Sequence, residues 1–379
     1  MHLLSTDQVL AYLEDCRLLT LEELERILPS DEGGSLLYQL MRDYPLRRAK
    51  ALRPALCIAA CRALGGNMEA VLPSAATLEL YHNAFLIHDD VEDGSWHRRG
   101  APTLHREHGV PIAVNTGDAM LALALQPLLA NTRLLGLGAS LRILSCVAEM
   151  SRQSVEGQAL ELAWIRDGTW VLEDADYLRM VHQKTTWYSF AAPLVIGAIV
   201  AGVPTEQHAA LHEIARCLGA AFQIQDDVLN LVGDAAYGKE IEGDLWEGKH
   251  TLVLLHALRH ASAEDRARAR DVLQKRRPED LQLPDLLDRL QVEGHLDRHG
   301  RAALDAHLAT DRPARTSGDV RFLRGLIDDA GSVAHAHSIA RSMASEARAR
   351  LDAFDGWCDD AVDLGFLRGL TTFVVDRSV

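Results

Sequence analysis

Two short acidic stretches carry residue types from which chemistry can be built. The first, Glu79 to Gly100 (ELYHNAFLIHDDVEDGSWHRRG), holds Asp89, Asp90 and Asp93. A spacing of four puts Asp89 and Asp93 on one face of a helix, a single turn apart. Like charges so placed repel, and at a helix C-terminus they also oppose the dipole, so the arrangement costs stability unless a cation lies between them. The second stretch, Gly219 to Leu252, repeats the device with Asp226, Asp227 and Asn230, and adds Asp244 further along. Hard carboxylate oxygens with open coordination positions suit Mg²⁺, which keeps water or phosphate in its shell. Cations follow each cluster, Arg98 and Arg99 after the first, Lys239 and Lys249 after the second, while Lys50, Arg53 and Lys184 stand elsewhere. Carboxylate-held metal beside fixed cations is the chemistry of a diphosphate site.

Each piece alone has a plainer reading. A single DDxxD in an acidic chain is more often a solvated helix end, Lys184 or Lys249 a surface lysine, and His82 a half-buried histidine. The pairing of two acidic clusters, with Arg98-Arg99-Gly100 just after the first, reverses that reading. Asp118, Asp174, Asp176 and Glu240 have no second cluster to join and read as surface or capping carboxylates. His88 before Asp89 imitates a metal-phosphohydrolase dyad, but no earlier histidine completes such a site.

The elements that must position these residues are helices. Apolar residues recur at three- and four-residue intervals along nearly the whole chain, with no sustained alternation between hairpin turns, which predicts an all-α fold. The pattern places long helices near 68–92, 138–165, 173–201 and 205–233, and shorter ones near 7–15 and 20–28. Pro45, Pro54, Pro73 and Pro111 read as helix starts, and Gly65-Gly66, Gly109 and Gly168 as stops. Residues 276–318, rich in proline and charge, read as a partly helical surface insertion without its own core, so residues 37–379 form one domain behind an N-terminal helical extension at 1–36.

Composition narrows the partners. The 379 residues include 39 basic and 54 acidic side chains, a net charge of -15, the wrong balance for a nucleic-acid-binding surface. Asp7, Glu14 and Asp15 fit neither a secretory signal nor an Arg-rich transit peptide, so the mature chain is expected to begin here. Phe190 to Pro204, the longest apolar stretch, falls short of a bilayer span of ~20 residues and reads as a buried helix, so no transmembrane segment is expected. The six scattered cysteines read as reduced thiols of a cytoplasmic protein.

Taken together, Ala49 to Pro54, Glu79 to Gly100, Gln183-Lys184-Thr185 and Gly219 to Leu252 make the chain resemble the trans-isoprenyl diphosphate synthases, and among them the geranylgeranyl diphosphate synthases. The resemblance runs from about Leu37 to Arg377. Asn230 stands where the second motif usually has a third Asp, as in eukaryotic-type members. Arg48-Ala49-Lys50-Ala51 keeps Lys50 and Arg53 but lacks an arginine next to Lys50. The resemblance implies an isoprenoid-synthase helical bundle around a deep central cavity, a homodimer, and isopentenyl and allylic diphosphate substrates. It implies that Asp89 and Asp93 hold two Mg²⁺ and Asp226 a third, with Mn²⁺ as an acceptable substitute. Asp90, Asp227, Asn230 and Asp244 complete the metal set in this reading, with Gln223, Asp227 and Asp244 acting behind the ligands or through metal-bound water. Arg98, Lys184 and Lys249 would grip the allylic diphosphate with Lys239 nearby, and Lys50, Arg53, His82 and Arg99 would hold isopentenyl diphosphate.

The implied reaction ionises an allylic C–O bond, joins the cation to the isopentenyl double bond and loses a proton. Oxygen dipoles of Gln223 and Thr185 would face the cation, and the released diphosphate would take the proton. Leu78, His82, Phe85, Asp89 and Asp93 share a helix face, which makes Phe85 a candidate floor for the growing hydrocarbon, with small Ala84 beside it and Tyr81 a turn deeper. That geometry favours a C20 product over C15. Phe85 as ordinary helix-helix core is the plainer alternative. A class I terpene cyclase or coupling enzyme on the same scaffold, or a non-catalytic partner of another synthase, are the competing functions.

Overall fold

The computed structural model describes residues 3–29, 34–47, 49–233, 241–278, 282–308, 313–358 and 362–376. The chain begins with α1 (Thr6–Ile27), α2 (Leu36–Leu46), α3 (Leu52–Ala63) and α4 (Met68–Asp93). After a two-stranded hairpin, β1 (His97–Arg98) and β2 (Ala101–Pro102), come α5 (Leu104–His108), α6 (Val110–Leu123), α7 (Leu125–Asp167) and α8 (Asp174–Val181). A π-helical segment, His182–Ala191, leads into α9 (Ala192–Val200) and α10 (His208–Val232). The remainder is α11 (Gly243–Glu247), α12 (Leu252–His260), α13 (Ala263–Leu273), α14 (Gln282–Val292), α15 (Arg298–Leu308), α16 (Ser317–Asp329), α17 (Ser332–Ala353) and α18 (Asp363–Asp376). The fold is all-α, as the periodicity predicts.

The buried side chains form two clusters. One gathers α1 to α4, α6, α9 and α18 around residues such as Leu56, Ile58, Leu78 and Phe366; the other gathers α8, α11, α12, α13 and α16 around Tyr177, Leu254 and Leu323. Helix α10 joins them, with Leu211, Ile214 and Leu218 in the first cluster and Ile224, Val228 and Leu231 in the second. Its acidic turn therefore sits where the two cores meet.

Helix α1 runs unbroken where two helices were expected. A capping box at Ser5 and Gln8 starts it, satisfying N–H groups that would otherwise be orphaned. Val9, Leu13, Cys16, Thr20 and Leu24 are buried in the main core, so α1 is part of the bundle wall. Pro45, expected to start a helix, lies in the last turn of α2. Helix α4 has Asn67 at its N-cap, accepting from the Ala70 N–H at 3.2 Å, and ends at Gly94 in the left-handed region, φ 64°.

The single helix expected over 173–201 is broken into α8, the π segment and α9. Two glycines make room for the wider turn. A Cβ at Gly157 of α7 would lie 2.3 Å from the Lys184 backbone N, and one at Gly219 of α10 would lie 2.4 Å from Thr186 Oγ1. Lys184 and Thr185 are thus carried on a bulge wedged between α7 and α10, a common device for aiming functional side chains. The hairpin also escaped the periodicity, since its strands are two residues long. Its turn uses Arg99 and Gly100 at φ 55° and 78°, the two left-handed residues that a tight hairpin of this hand requires.

Within 276–318, α14 and α15 pack on each other, and the neck is closed by a parallel bridge between Arg276 and Ala314. The buried Arg315 guanidinium donates to the carbonyls of Leu245 at 2.7 Å and of Leu273 and Lys275 at 3.0 Å, fastening this neck to α11 and α13. Among the described residues one stretch, Val110–Asp167, is long and apolar enough to cross a membrane by length and composition, with mean hydropathy 1.4 in its most apolar window, but its backbone leaves the helical region at Gly136 (φ 78°, ψ 165°). The apolar stretch at Phe190–Pro204 is not that run; its residues through Ile199 are largely core.

Candidate active site

A cavity of about 1210 Å³ opens between the ends of α4 and α10, and its wall carries Asp89, Asp226, Asp227, Asn230 and Asp244. Both acidic turns therefore face one space. Lys50, Arg53, His82, Arg98, Arg99, Lys184, Thr185, Gln223 and Lys249 line the same cavity. Lys239 lies outside the described residues.

The first cluster is held by ammonium and guanidinium groups. Lys184 Nζ lies 3.4 Å from Asp89 and 2.5 Å from Glu161, and Arg98 approaches Asp89 at 3.9 Å. Lys249 Nζ lies 2.7 Å from Asp93 and 3.1 Å from Glu247. Burial raises the Asp89 carboxyl, but Lys184, Lys249 and Arg98 outweigh it and hold the group well below the usual carboxylate range. Asp93 goes the other way: burial pushes it up, and its neighbours Asp89 and Glu247 add to the push against the pull of Lys249.

Asp90 is a correction to the expected metal set. One residue on from Asp89 is a rotation of ~100° around the helix, and the side chain points into the protein, fully buried. It accepts the Tyr44 hydroxyl at 2.6 Å and the Arg98 Nε–H at 2.9 Å, so it fixes the arginine that reaches Asp89.

In the second cluster Asp227 is held by neutral donors. Asp227 accepts the Tyr177 hydroxyl at 2.7 Å and the Gln223 amide at 2.8 Å, and the Gln223 oxygen accepts the Thr185 hydroxyl at 3.0 Å. Burial pushes Asp227 up to about 7, and the two hydrogen bonds only partly offset it. The Asn230 oxygen accepts the Asp244 backbone N–H at 3.1 Å, and its own carbonyl accepts the Glu242 N–H at 2.7 Å, which ties α11 to the end of α10. A third aspartate at position 230 could not serve Asp244 without adding a buried charge, which supplies a physical reason for the amide.

The remaining cations are held by the π segment, the hairpin side of α2 and α18. Arg53 donates to Ser189 Oγ at 2.7 Å and lies over the Tyr188 ring, 4.5 Å from its centroid. Arg99 donates to the Tyr44 carbonyl at 2.8 Å, and one of its nitrogens lies 3.3 Å from His82 Nε2. Lys50 Nζ stands 5.6 Å from the Phe373 centroid. Ala51 at φ 48° starts α3, a strained conformation for alanine that turns Lys50 and Arg53 to the same space.

Phe85 is not on the wall. Leu86, the next residue, takes that place with Tyr188 and Phe222, and Phe85 lies edge-on behind Tyr188 at 5.6 Å and Tyr81 at 6.0 Å. Sequence reasoning also missed Glu161, Glu247, Tyr44 and Tyr177. None belongs to a motif; the nearest signals are Gly157, one turn before Glu161, and the position of Glu247 two residues before Lys249.

The donor set suits a hard divalent ion. Asp89 and Asp226 offer carboxylate oxygens to the cavity, whereas Asp93, one turn beyond Asp89, is buried against Lys249 and does not line it; among the described residues no group of three or more His, Cys, Asp or Glu side chains converges to hold an ion alone. Carboxylate oxygens are the ligands that hard divalent ions take, with water and phosphate able to fill the rest of the shell.

An all-helical bundle with two carboxylate turns and a ring of cations around one deep cavity defines a class of enzyme that handles diphosphates. The chain belongs to the polyprenyl synthetase family, whose model matches residues 35–289. It is 32% identical over 271 residues to a short chain isoprenyl diphosphate synthase of Methanocaldococcus jannaschii, covering 71% of this chain and 80% of that protein. It is 34% identical over 272 residues to an octaprenyl diphosphate synthase of Haemophilus influenzae, covering 68% and 80%. The crystal structure of geranylgeranyl pyrophosphate synthetase from Pyrococcus horikoshii Ot3 superposes with a TM-score of 0.77 at 26% identity, covering 98% of this chain and 99% of that one. The protein is a prenyltransferase of the trans-prenyl diphosphate synthase type.

Proposed function

We propose that the protein condenses isopentenyl diphosphate with an allylic diphosphate to make a short-chain all-trans product, geranylgeranyl diphosphate (C20) before farnesyl (C15). The observation that carries this reading is the meeting of Asp89 and Asp226 on one cavity wall with Lys184 and Lys249 between their helices. Asp89, Asp93 and Asp226 would hold the ions. Bound Mg²⁺, or Mn²⁺ in its place, supplies positive charge to neutralise the departing diphosphate. Lys184, Lys249 and Arg98 grip the same diphosphate and so favour cleavage of the allylic C–O bond, which leaves with its electron pair. Lys50, Arg53, His82 and Arg99 orient isopentenyl diphosphate so that its double bond forms the new C–C bond. The oxygens of Thr185 and Gln223 and the face of Tyr188 steady the carbocation. One proton is then lost to the released diphosphate.

Leu86, Tyr188 and Phe222 are part of the apolar lining, with the Phe85 ring behind Tyr188, and this double aromatic layer supports a short product. The second cationic group is what favours elongation over a cyclase on the same scaffold, which needs only one diphosphate site. The intact Asp89, Asp93 and Asp226 favour an active enzyme over a silent partner subunit. The reading includes a cytoplasmic homodimer. Leu137 and Leu141, one turn apart just after the break in α7 at Gly136 (φ 78°, ψ 165°), are exposed by 64% and 53% and make an apolar patch that a second copy could cover.

The test is purified protein with Mg²⁺, isopentenyl diphosphate and C5, C10 or C15 allylic diphosphates, followed by chromatography of the dephosphorylated products. A C20 alcohol that disappears on chelating the metal supports the reading. A cyclic hydrocarbon formed without isopentenyl diphosphate overturns it.

A further inference from the structure

Helix α1 lies upstream of the residues that match the family, yet one of its faces forms part of the cavity wall. Leu10, Leu13, Glu14 and Arg17 follow the i, i+3, i+4, i+7 spacing of a single helical stripe, and all four line the space that Lys50 and Arg53 enter. The helix is anchored rather than laid on. Tyr12 stacks on Phe366 at 4.2 Å and its hydroxyl donates to Asp363, which also accepts Arg62 Nε–H at 2.8 Å. The Leu4 N–H donates to the Gly365 carbonyl at 3.3 Å, and Gly369 lets α1 sit so close that a Cβ there would be 2.8 Å from the Leu4 carbonyl oxygen.

On this anchored stripe Arg17 is preset. Its Nε and Nη2 both donate to the Glu14 carboxylate at 2.7 Å, and its side chain is only 23% exposed. Arg17 shares the cavity with Lys50 and Arg53, which flank Ala51, whose left-handed backbone turns the chain but carries no charge. A diphosphate bound by Lys50 and Arg53 still has oxygens to satisfy, and a guanidinium offers the forked pair of donors that fits them.

We propose that Arg17, held ready by Glu14, is a binding residue for the diphosphate of the isopentenyl substrate. The proposal rests on the elongation reading above. Leu10 and Leu13 supply the apolar part of the same stripe beside the isopentenyl group, so α1 closes the acceptor side of the cavity.

Steady-state kinetics of the full chain, varying each substrate in turn, tests this with Arg17→Ala and Arg17→Lys. Arg17→Ala should raise KM for isopentenyl diphosphate about tenfold, the loss of one charge-assisted contact, with KM for the allylic substrate and the melting temperature unchanged. Arg17→Lys should recover part of the loss, which a merely structural arginine would not require. An unchanged isopentenyl KM in Arg17→Ala, or equal rises for both substrates, overturns the proposal while leaving the elongation reading intact. Failure of the wild-type protein to join the two substrates removes both. If Arg17→Ala does not fold, an Arg17→Lys enzyme with wild-type stability and an unchanged isopentenyl KM also overturns it.

Discussion

The two acidic turns look alike in sequence and are built differently in space. At the end of α4 the carboxylates are matched by full charges: Asp89 by Lys184 and Arg98, Asp93 by Lys249. At the end of α10, Asp227 is matched by the hydroxyl of Tyr177 and the amide of Gln223. The first turn is therefore held by ion pairs that a diphosphate can take over, since its oxygens compete for the same lysines. In the second, Asp227 is held by neutral hydrogen bonds, for which a diphosphate does not compete as it does for a lysine. One turn is poised to exchange partners, and the other is a fixed frame.

This contrast can be broken or sharpened by substitution. Asp89→Ala removes a carboxylate that both the metal and the lysines use, and kcat should fall by at least ~10²-fold, as for deletion of a preorganised charge-stabilising group; quench-flow or product assays measure it. Lys249→Met leaves Asp93 and Glu247 buried with a lost counter-charge, and denaturant unfolding should show a loss of about 3 kcal/mol. Acid should act apart from either turn through His250, which follows Lys249, is fully buried and stacks on Trp170 at 3.7 Å. Burial holds its imidazole at about 4 against an ordinary 6.5. A depressed histidine pKa contributes stability that is whole above 6.5 and is lost as pH falls from there through about 4, by roughly 3 kcal/mol in all. Thermal melts of wild type and His250→Phe across that window should converge in slope if the histidine is not responsible, and diverge if it is. Tyr177→Phe, which removes one neutral donor from Asp227, should cost the least, about 1–2 kcal/mol. A loss equal to that of Lys249→Met would show that the two turns are not held in different ways.

Helix content and the positions of the two acidic turns were legible because each depends on local spacing, whereas Lys50, Arg53, His82, Arg99 and Lys184, which line the cavity, took their expected roles from the family resemblance. Asp89 and Asp93 share a face by helix geometry alone, and α4 stops at Gly94 as glycine after an acidic turn suggests. What local spacing could not carry is contact between distant elements. Glu161 matters only because Gly157 lets α7 touch the bulge that presents Lys184, and nothing near Glu161 announces this. Asp90 misled because adjacency to Asp89 looks like membership of the motif, whereas the rotation per residue turns it to Tyr44 and Arg98. Phe85 misled for the same reason in reverse: a few tens of degrees of helix rotation decide whether it or Leu86 meets the cavity, and packing against Tyr188 sets that angle. The π segment was invisible because its composition is that of any buried helix.

The bridge between Arg276 and Ala314, with Arg315 pinned beneath it, has a practical corollary. Because chain enters and leaves the α14–α15 hairpin at neighbouring points, the part beyond Arg277, which pairs with Glu247 of α11 at 2.6 Å and must stay, should be replaceable by a short turn or a foreign module. The appendage is thus a graft site whose boundary is set by that one ion pair.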